Sequence, residues 1–255
     1  MTSTEQQCDG SVTAARESRS SPAQSAPIQK ASKPAKRRGA DRPSAPTFWN
    51  DFYANNTWSH EHGTVGRHLV TEVAHLNPGT ALDLGCGEGS DAIWLAQQSW
   101  HVFAVDAAET ALDRAREHAA ALGLDHSIQF AQCDLVVDFP RGQYDLVSAQ
   151  YLHSPVAQPG ERERILHRAT QAVAPGGHLL VVSHWTVPSW HPKMPNASQV
   201  AHLTLPSPQE NRAALQLADN QWEILRDELA DFEQIGPEGQ REIRQDHVLH
   251  VRRLS

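Results

Sequence analysis

From about residue 46 onward, short apolar segments alternate with stretches whose apolar residues recur at helical spacing. The apolar segments predict strands over 80–85, 101–106, 128–134, 144–150 and 178–185. The stretches between them predict helices over 90–98, 109–122 and 161–174, the last of which ends at Pro175-Gly176-Gly177. This alternation is typical of an α/β protein whose mostly parallel sheet is covered by helices on both faces.

The C-terminal part of the chain has a different pattern. Ser207-Pro208-Gln209-Glu210 is a capping box with proline at the first helical position, which predicts a helix from 208 to about 218. Two further strands, 222–232 and 241–254, are joined by a loop that contains Gly and Pro, so we expect an antiparallel hairpin. Residues 186–206 contain four prolines and little periodicity, and they predict an insertion or lid-like loop.

The N-terminal 45 residues are rich in Ser, Ala, Pro, Gln and Lys and contain almost no large apolar residues. Such a segment cannot bury enough surface to offset the entropy lost on ordering, so a disordered tail is predicted for 1–45 and a single folded domain for 46–255. Thr47 is the expected N-cap of a first helix that carries several aromatic residues. In the polar stretch after this helix, Trp58 and His62 are candidates for a lid.

Charge is distributed unevenly between tail and domain. The tail holds eight Lys or Arg against four acids, so it carries +4, and the other 210 residues carry −12 of the total of −8. Lys33–Arg38 could contact nucleic acid, but an acidic domain disfavours a phosphate backbone as partner, and a solvated tail is the preferred interpretation.

The sequence contains no apolar run of about 18 residues and no apolar segment near its start, so neither a membrane span nor a secretion signal is expected. Its three cysteines, Cys8, Cys86 and Cys133, are too few and too scattered for a disulfide framework or a zinc site. A cytoplasmic protein without a structural metal is therefore predicted.

The most informative segment is the glycine-rich run 83–89, Asp-Leu-Gly-Cys-Gly-Glu-Gly, which follows the first strand. Glycines there allow a ligand to approach the backbone closely, and the next helix presents its N-terminus to the same place. Asp106 ends the second strand, where a carboxylate can accept hydrogen bonds from both hydroxyls of a ribose. Asp134 ends the third strand, where it can accept one from an adenine amine. Ligands of open parallel sheets bind beyond the carboxyl ends of the strands, so these acids should converge with the loop.

These residues resemble motif I and the flanking motifs of the class I S-adenosylmethionine-dependent methyltransferases. The resemblance covers about residues 46–255 and includes Cys133-Asp134-Leu135, the Pro175-Gly176-Gly177 turn and the final hairpin. It implies a Rossmann-like fold with a seven-stranded, mostly parallel sheet whose last strand is antiparallel. It also implies a cofactor site for S-adenosylmethionine, with the residues Asp83, Gly85, Gly87, Asp106, Ala107, Cys133, Asp134, Leu135 and Gln150. For Asp83, support of the loop is an equally good interpretation.

Two absences narrow the expected chemistry. Strand four is not followed by Asn-Pro-Pro-Tyr or Asp-Pro-Pro-Tyr, and no cysteine follows a proline, which disfavours the DNA-methylating classes. The single-residue spacers between the glycines also differ from a dinucleotide fingerprint. Within the superfamily the chain resembles compact bacterial small-molecule enzymes of the thiopurine and tellurite-resistance type, which implies a small-molecule methyl acceptor. The alternatives are a non-catalytic cofactor-binding regulator, and a protein or RNA methyltransferase recruited by the basic tail.

Histidines provide the candidate catalytic groups. His153 follows strand four, His184 ends strand five, and Asp246-His247 begins the last strand, so three imidazoles and a carboxylate could gather at one edge of the sheet. An imidazole of near-neutral pKa suits a general base, or it could bind a metal, or each could simply cap a strand end. Surface solvation is expected for most other histidines, among them His60, His62, His68, His75, His118 and His167.

Overall fold

A computed structural model describes residues 42–55, 64–191 and 205–254. The helices are α1 (Ala45–Asn55), α2 (Arg67–Val73), α3 (Ser90–Gln97), α4 (Glu109–Ala121), α5 (Glu161–Gln171) and α6 (Pro208–Leu215). The strands are β1 (Thr80–Leu84), β2 (His101–Asp106), β3 (Ile128–Gln132), β4 (Tyr144–Gln150), β5 (Val173–His184), β6 (Trp222–Ile235) and β7 (Arg241–Arg253).

The seven strands form one sheet in the order β3-β2-β1-β4-β5-β7-β6. Strands β1 to β5 are parallel to one another, whereas β7 is antiparallel to both β5 and β6. The chain order reverses between β1 and β4, which is where open α/β sheets bind ligands. The sequence therefore predicted the fold class, the sheet and the final hairpin correctly.

Each face of the sheet has its own core, because successive side chains of a strand point to opposite faces. On one face, Leu84, Val147 and Leu249 pack with Leu166 of α5 and Leu215 of α6. On the other face, Ala104, Leu146 and Val248 pack with Leu69 of α2 and Leu95 of α3. Both cores leave the carboxyl ends of β1, β2 and β4 free for the loops that build the site.

Several predicted boundaries are wrong by a few residues. Helix α1 begins at Ala45, and its first turn is supported by Ser44, whose hydroxyl accepts a hydrogen bond from the N–H of Thr47 at 3.3 Å. The predicted N-cap, Thr47, is thus already inside the helix. Helix α5 ends at Gln171, three residues earlier than predicted. The turn Pro175-Gly176-Gly177 therefore does not end the helix but belongs to the irregular start of β5.

Helix α2 was not predicted from the sequence at all, since its seven residues are too few for a clear period. The lid candidates Trp58 and His62 lie outside the described residues, as do His60, residues 192–204 of the predicted lid-like loop, and residues 1–41 of the predicted tail. Among the helices that the structure describes, none is long and apolar enough to cross a membrane.

Candidate functional site

The loop after β1 adopts a backbone that only glycine accommodates without strain. Gly85, Gly87 and Gly89 have φ angles of +74°, +53° and +84°. The N–H groups of Gly85 and Cys86 both donate to the carbonyl of Val105, at 2.8 and 3.0 Å, which ties the loop to β2. Gly89 directly precedes α3, so the loop lies across the N-terminus of that helix.

Asp106 holds the same loop from the end of β2. Its Oδ2 accepts a hydrogen bond from the N–H of Gly87 at 2.9 Å, and its Oδ1 accepts one from the N–H of Ala108 at 2.8 Å. Burial raises the pKa of this carboxyl, while the two backbone N–H groups act in the opposite direction. Each carboxylate oxygen can accept more than one hydrogen bond, so Asp106 retains capacity for a ligand.

Asp83 makes no comparable contact with the loop. It is 2% exposed, and its Oδ2 has no hydrogen-bond partner among the described residues. Burial raises its pKa well above the ordinary value, and the nearby Asp91 and Asp106 add to this effect. Of the two interpretations of Asp83, contact with a ligand is therefore the one that its surroundings favour.

A cavity of about 220 Å³ lies next to Asp83, Gly87 and Gln150. The Oε1 atom of Gln150 is also buried without a hydrogen-bond partner in this part of the structure, while its Nε2 donates to Ser148 Oγ at 3.1 Å. Two unpaired acceptor oxygens thus border one small space, and burying them this way is costly unless a donor binds there. The cavity is suited to a ligand group that donates hydrogen bonds and carries positive charge.

A larger cavity of about 480 Å³ adjoins the ends of β2 and β3. The predicted residues that line it are Gly85, Asp106, Ala107, Cys133, Asp134 and Leu135. Helix α1 covers this cavity with Trp49 and Tyr53, and Trp49 Nε1 donates to Ser154 Oγ at 3.3 Å. Apolar and aromatic groups around a few carboxylates suit a planar heterocycle that carries hydroxyl or amino donors.

Arg42 to Ala45, the last four residues of the predicted tail, also line the larger cavity. The Arg42 guanidinium donates to the carbonyl of Ala157 at 2.9 Å and so joins the start of α1 to the segment after β4. The structured part of the chain therefore extends at least four residues N-terminal to the predicted boundary.

The two cavities share two lining residues, Gly85 and Tyr151. Tyr151 immediately follows β4 and has a φ of +52°, which is unfavourable for an aromatic residue. The hydrogen bond from its N–H to the carbonyl of Val182, 2.8 Å long, helps to hold this backbone. A ligand that occupies both cavities would pass between Gly85 and Tyr151.

Two of the three predicted catalytic histidines lie close together. The ring centroids of His153 and His184 are 6.1 Å apart, and the ring of His184 stacks on that of Tyr151 at 4.1 Å. Neither nitrogen of His153 has a hydrogen-bond partner within the described residues, and this side chain borders the larger cavity. Burial lowers the pKa of His153 well below its ordinary value, and the neighbouring Arg162 and His184 lower it further.

The structure does not bring His247 to this pair. In the β5–β7 register, His247 is opposite Ser183, whereas its neighbour Asp246 is opposite His184. The two neighbours therefore point to opposite faces of the sheet. His247 is fully buried, with Nδ1 at 2.9 Å from Asn211 Nδ2 and Nε2 at 2.8 Å from an oxygen of Asp227.

Asp246 occupies the position expected for His247. Its Oδ1 is 3.0 Å from Nδ1 of His184, and its Oδ2 is 2.7 Å from the hydroxyl of Tyr151 and 3.2 Å from Nε2 of His68. His68, expected on the surface, is buried, because α2 packs against the sheet at this point. Sequence reasoning named the Asp246 carboxylate but had no signal for the contribution of Tyr151 or His68.

No group of three or more His, Cys, Asp or Glu in the described ranges could hold a metal ion.

Residues 81–177 match the model of a methyltransferase domain. A ubiquinone biosynthesis O-methyltransferase from Caulobacter sp. (strain K31) is 33% identical over 102 residues, which are 40% of this chain and 39% of that protein. A probable thiol methyltransferase 2 from Arabidopsis thaliana is 30% identical over 115 residues, or 45% of this chain and 50% of that one. The chain thus spans half or less of the length of these curated relatives.

Solved structures resemble the whole described domain. The N-methyltransferase NodS from Bradyrhizobium japonicum WM9, in complex with S-adenosyl-L-homocysteine, matches 83% of this chain and 100% of its own, with a TM-score of 0.58 and 13% identity. TehB from Haemophilus influenzae matches 81% of this chain and 67% of its own, with a TM-score of 0.56 and 18% identity. The fold expected from the glycine loop is thereby confirmed: the chain has the class I methyltransferase fold, and its residues 81–177 match the model of a methyltransferase domain.

Proposed function

We propose that this protein is an S-adenosylmethionine-dependent methyltransferase that transfers a methyl group to a small-molecule acceptor. One observation carries the proposal: all nine residues that the resemblance assigned to the cofactor line one of two cavities that meet at Gly85 and Tyr151. The matched domain and the relatives named as methyltransferases support the same function.

The residues fit the cofactor in both size and chemistry. Asp83 Oδ2 and Gln150 Oε1, both unpaired and buried, would accept hydrogen bonds from the ammonium of its amino-acid end. Asp106 and Asp134 would accept from the ribose hydroxyls and the adenine amine. A Cβ atom on Gly85 would lie 2.8 Å from a methyl of Leu152, so a larger residue at this position would displace a side chain that lines the larger cavity.

The chain's own contribution to the reaction is to bind, to orient and to accept a proton. When bound, the cofactor supplies a methyl carbon whose bond to sulfur breaks, leaving the electron pair on sulfur, as the acceptor atom attacks. Gly85 and Tyr151 border the junction of the cavities and would hold the central, sulfur-bearing part of the cofactor. Orientation of this kind can account for much of the rate of such a displacement.

The proton of a hydroxyl, amine or thiol acceptor needs a base, and we assign this role to His184, whose ring stacks on that of Tyr151 beside both cavities. Its Nδ1 is engaged by Asp246, and its side chain is 33% exposed, so an acceptor would approach the ring from the Nε2 side. His153 stays uncharged through its lowered pKa and would contribute a hydrogen bond rather than a charge. His247 stays a prediction, and the contacts of both its ring nitrogens favour a structural role.

We also propose that residues 1–41 are not required for this function. Binding of a nucleic acid as methyl acceptor would depend on the positive charge of these residues, whereas binding of a small molecule would not.

Cofactor binding is tested with a matched pair of glycine variants. Gly87 and Gly123 both have positive φ, so alanine at either position strains the backbone. An added Cβ at Gly87 would lie 2.9 Å from the hydroxyl oxygen of Tyr53, whereas at Gly123 it would meet nothing within 4 Å. We expect calorimetry with S-adenosylmethionine and S-adenosylhomocysteine to show strongly weakened binding for Gly87→Ala and unchanged binding for Gly123→Ala.

Turnover is tested separately, because binding alone would also be seen in a regulatory protein. The protein is incubated with methyl-labelled S-adenosylmethionine and a cell extract, and the label is followed into small molecules, protein and RNA. Label in a small molecule supports the proposal. Label in protein or RNA, or binding without any transfer, would refute the small-molecule assignment, and absence of binding by the wild-type chain would refute the function as a whole.

A further inference from the structure

Asp246 is the centre of a buried polar cluster at the carboxyl end of β5. It is fully buried, yet three side chains from three different parts of the chain contact its carboxylate: His68 from α2, Tyr151 from the end of β4 and His184 from the end of β5. Because all three can donate, this buried carboxylate is satisfied without a lysine or arginine at hydrogen-bonding distance among the described residues.

The charge state of Asp246 follows from these contacts. Burial alone would raise its pKa, but the hydrogen bonds from His184, His68 and Tyr151 outweigh burial and hold the pKa well below the ordinary value. The carboxylate is therefore ionised at neutral pH. An ionised Asp246 fixes the proton of His184 on Nδ1 and leaves the lone pair of Nε2 free.

The same carboxylate determines where Tyr151 lies. The Tyr151 hydroxyl donates to Asp246 at 2.7 Å, and burial together with Asp246 raises the pKa of this phenol, so it stays protonated. Tyr151, whose φ is +52°, has three contacts at the junction of the cavities. Its N–H donates to the carbonyl of Val182, its ring stacks on His184, and its hydroxyl donates to Asp246. A strained residue persists only where its surroundings determine it so fully.

We propose that Asp246 is the positioning residue of the methyl-transfer site, which holds Tyr151 beside the cofactor and His184 as the proton acceptor. This inference rests on the proposed function and goes beyond it, because it assigns to one carboxylate the orientation of both groups. As the acceptor atom bonds to the methyl carbon, its proton passes to Nε2 of His184. The positive charge that forms on the ring is stabilised by Asp246 across the 3.0 Å contact.

Other charged or titratable groups also face His184. His153 is 6.1 Å away on the segment after β4, and His191, on the segment after β5, interacts electrostatically with His184. Arg244, on the same face of β7 as Asp246, interacts with the Asp246 carboxylate. Any positive charge on these neighbours would oppose protonation of His184, so Asp246 supplies the negative charge that favours it.

The experiment measures the tautomer of His184 by NMR of the full-length chain with ¹⁵N-labelled histidine, without cofactor. The His184 signals are assigned from their loss in His184→Gln. We expect the Nδ1–H tautomer in the wild type and loss of this tautomer preference in Asp246→Asn, because the carboxylate that holds the Nδ1 proton is removed. Asp231→Asn is the control, because it removes the same charge from an exposed position of the same hairpin.

The second measurement separates orientation from cofactor affinity. Asp246→Asn should lower the rate of labelled-methyl transfer in cell extract about 10²-fold or more, while the Kd for S-adenosylhomocysteine stays within about threefold. Tyr151→Phe keeps the ring but loses the bond to Asp246, and it should lower the rate without changing the His184 tautomer. Restoration of the Nδ1–H tautomer of His184 by Asp246→Glu would add support.

An Nε2–H tautomer in the wild type would overturn the proposal, and this result does not depend on whether any variant folds. An unchanged His184 tautomer in folded Asp246→Asn would also overturn it. If the wild type failed to bind S-adenosylmethionine, the proposed function would fail whatever the NMR result, so the two failures are distinguishable.

Discussion

Replacement of Asp106 by alanine provides the sharpest test of how the site binds its cofactor. Asp106 is 8% exposed, and each of its oxygens accepts a backbone N–H from the loop or the start of the helix that follows. If it also accepts the ribose hydroxyls, Asp106→Ala removes hydrogen bonds to a charged group, worth about 1.5–3 kcal/mol. That loss corresponds to a Kd about 10- to 150-fold higher.

The assay is calorimetric titration with S-adenosylhomocysteine, with the melting temperature measured in parallel. Some loss of stability is expected, because the N–H groups of Gly87 and Ala108 lose their acceptor at a cost of about 1–3 kcal/mol each. Asp113→Ala is the control, because its exposed carboxylate pairs with Arg116 of the same helix α4. A folded Asp106→Ala protein with unchanged affinity would refute the assignment.

A weaker affinity could also arise from a distorted loop, so a second pair of ligands is needed. The wild type should bind adenosine more tightly than 2′,3′-dideoxyadenosine, which lacks both ribose hydroxyls. Asp106→Ala should abolish this preference if the carboxylate contacts the hydroxyls. If the preference survives in the variant, Asp106 supports the loop and does not contact the ribose.

Three further predictions concern the tail, proton release and acid stability. Removal of residues 1–41 should leave the Kd for S-adenosylhomocysteine unchanged, and a raised Kd in this deletion would contradict the prediction. Removal of residues 1–44 should raise the Kd, because Arg42 and Ser44 line the larger cavity. Binding of S-adenosylmethionine should release protons and become tighter as the pH rises, because burial raises the pKa of Asp83 and a bound ammonium favours its ionised form. Calorimetry in buffers of different ionisation enthalpy measures the proton release, and Asp83→Asn should remove it. Burial lowers the pKa of His178 to about 4, so only the unfolded chain gains its proton near pH 6.5, and this group's stability contribution is lost as the pH falls from about 6.5 to 4. Urea unfolding of His178→Gln should show a flatter pH dependence over that range, and an unchanged slope would count against it.

Local sequence was sufficient for most of the fold and for bringing the proposed cofactor residues to one edge of the sheet. The period of the apolar residues predicted every strand, and the glycines predicted a loop that a ligand can approach closely. Asp106 and Asp134 could be assigned to one edge because parallel strands all deliver their carboxyl ends to the same side of a sheet. These are properties of short segments and of a simple topology, so they are visible in the order of the residues.

The tertiary structure alone decided which side chains gather around His184. The register of β7 against β5 places Asp246, and not His247, opposite His184, and a shift of one residue would exchange them. His68 reaches Asp246 across 178 positions of sequence, and Tyr151 reaches it from a residue whose φ is +52°. Such contacts depend on how separate elements pack, and packing is a property of the whole domain that no local pattern encodes.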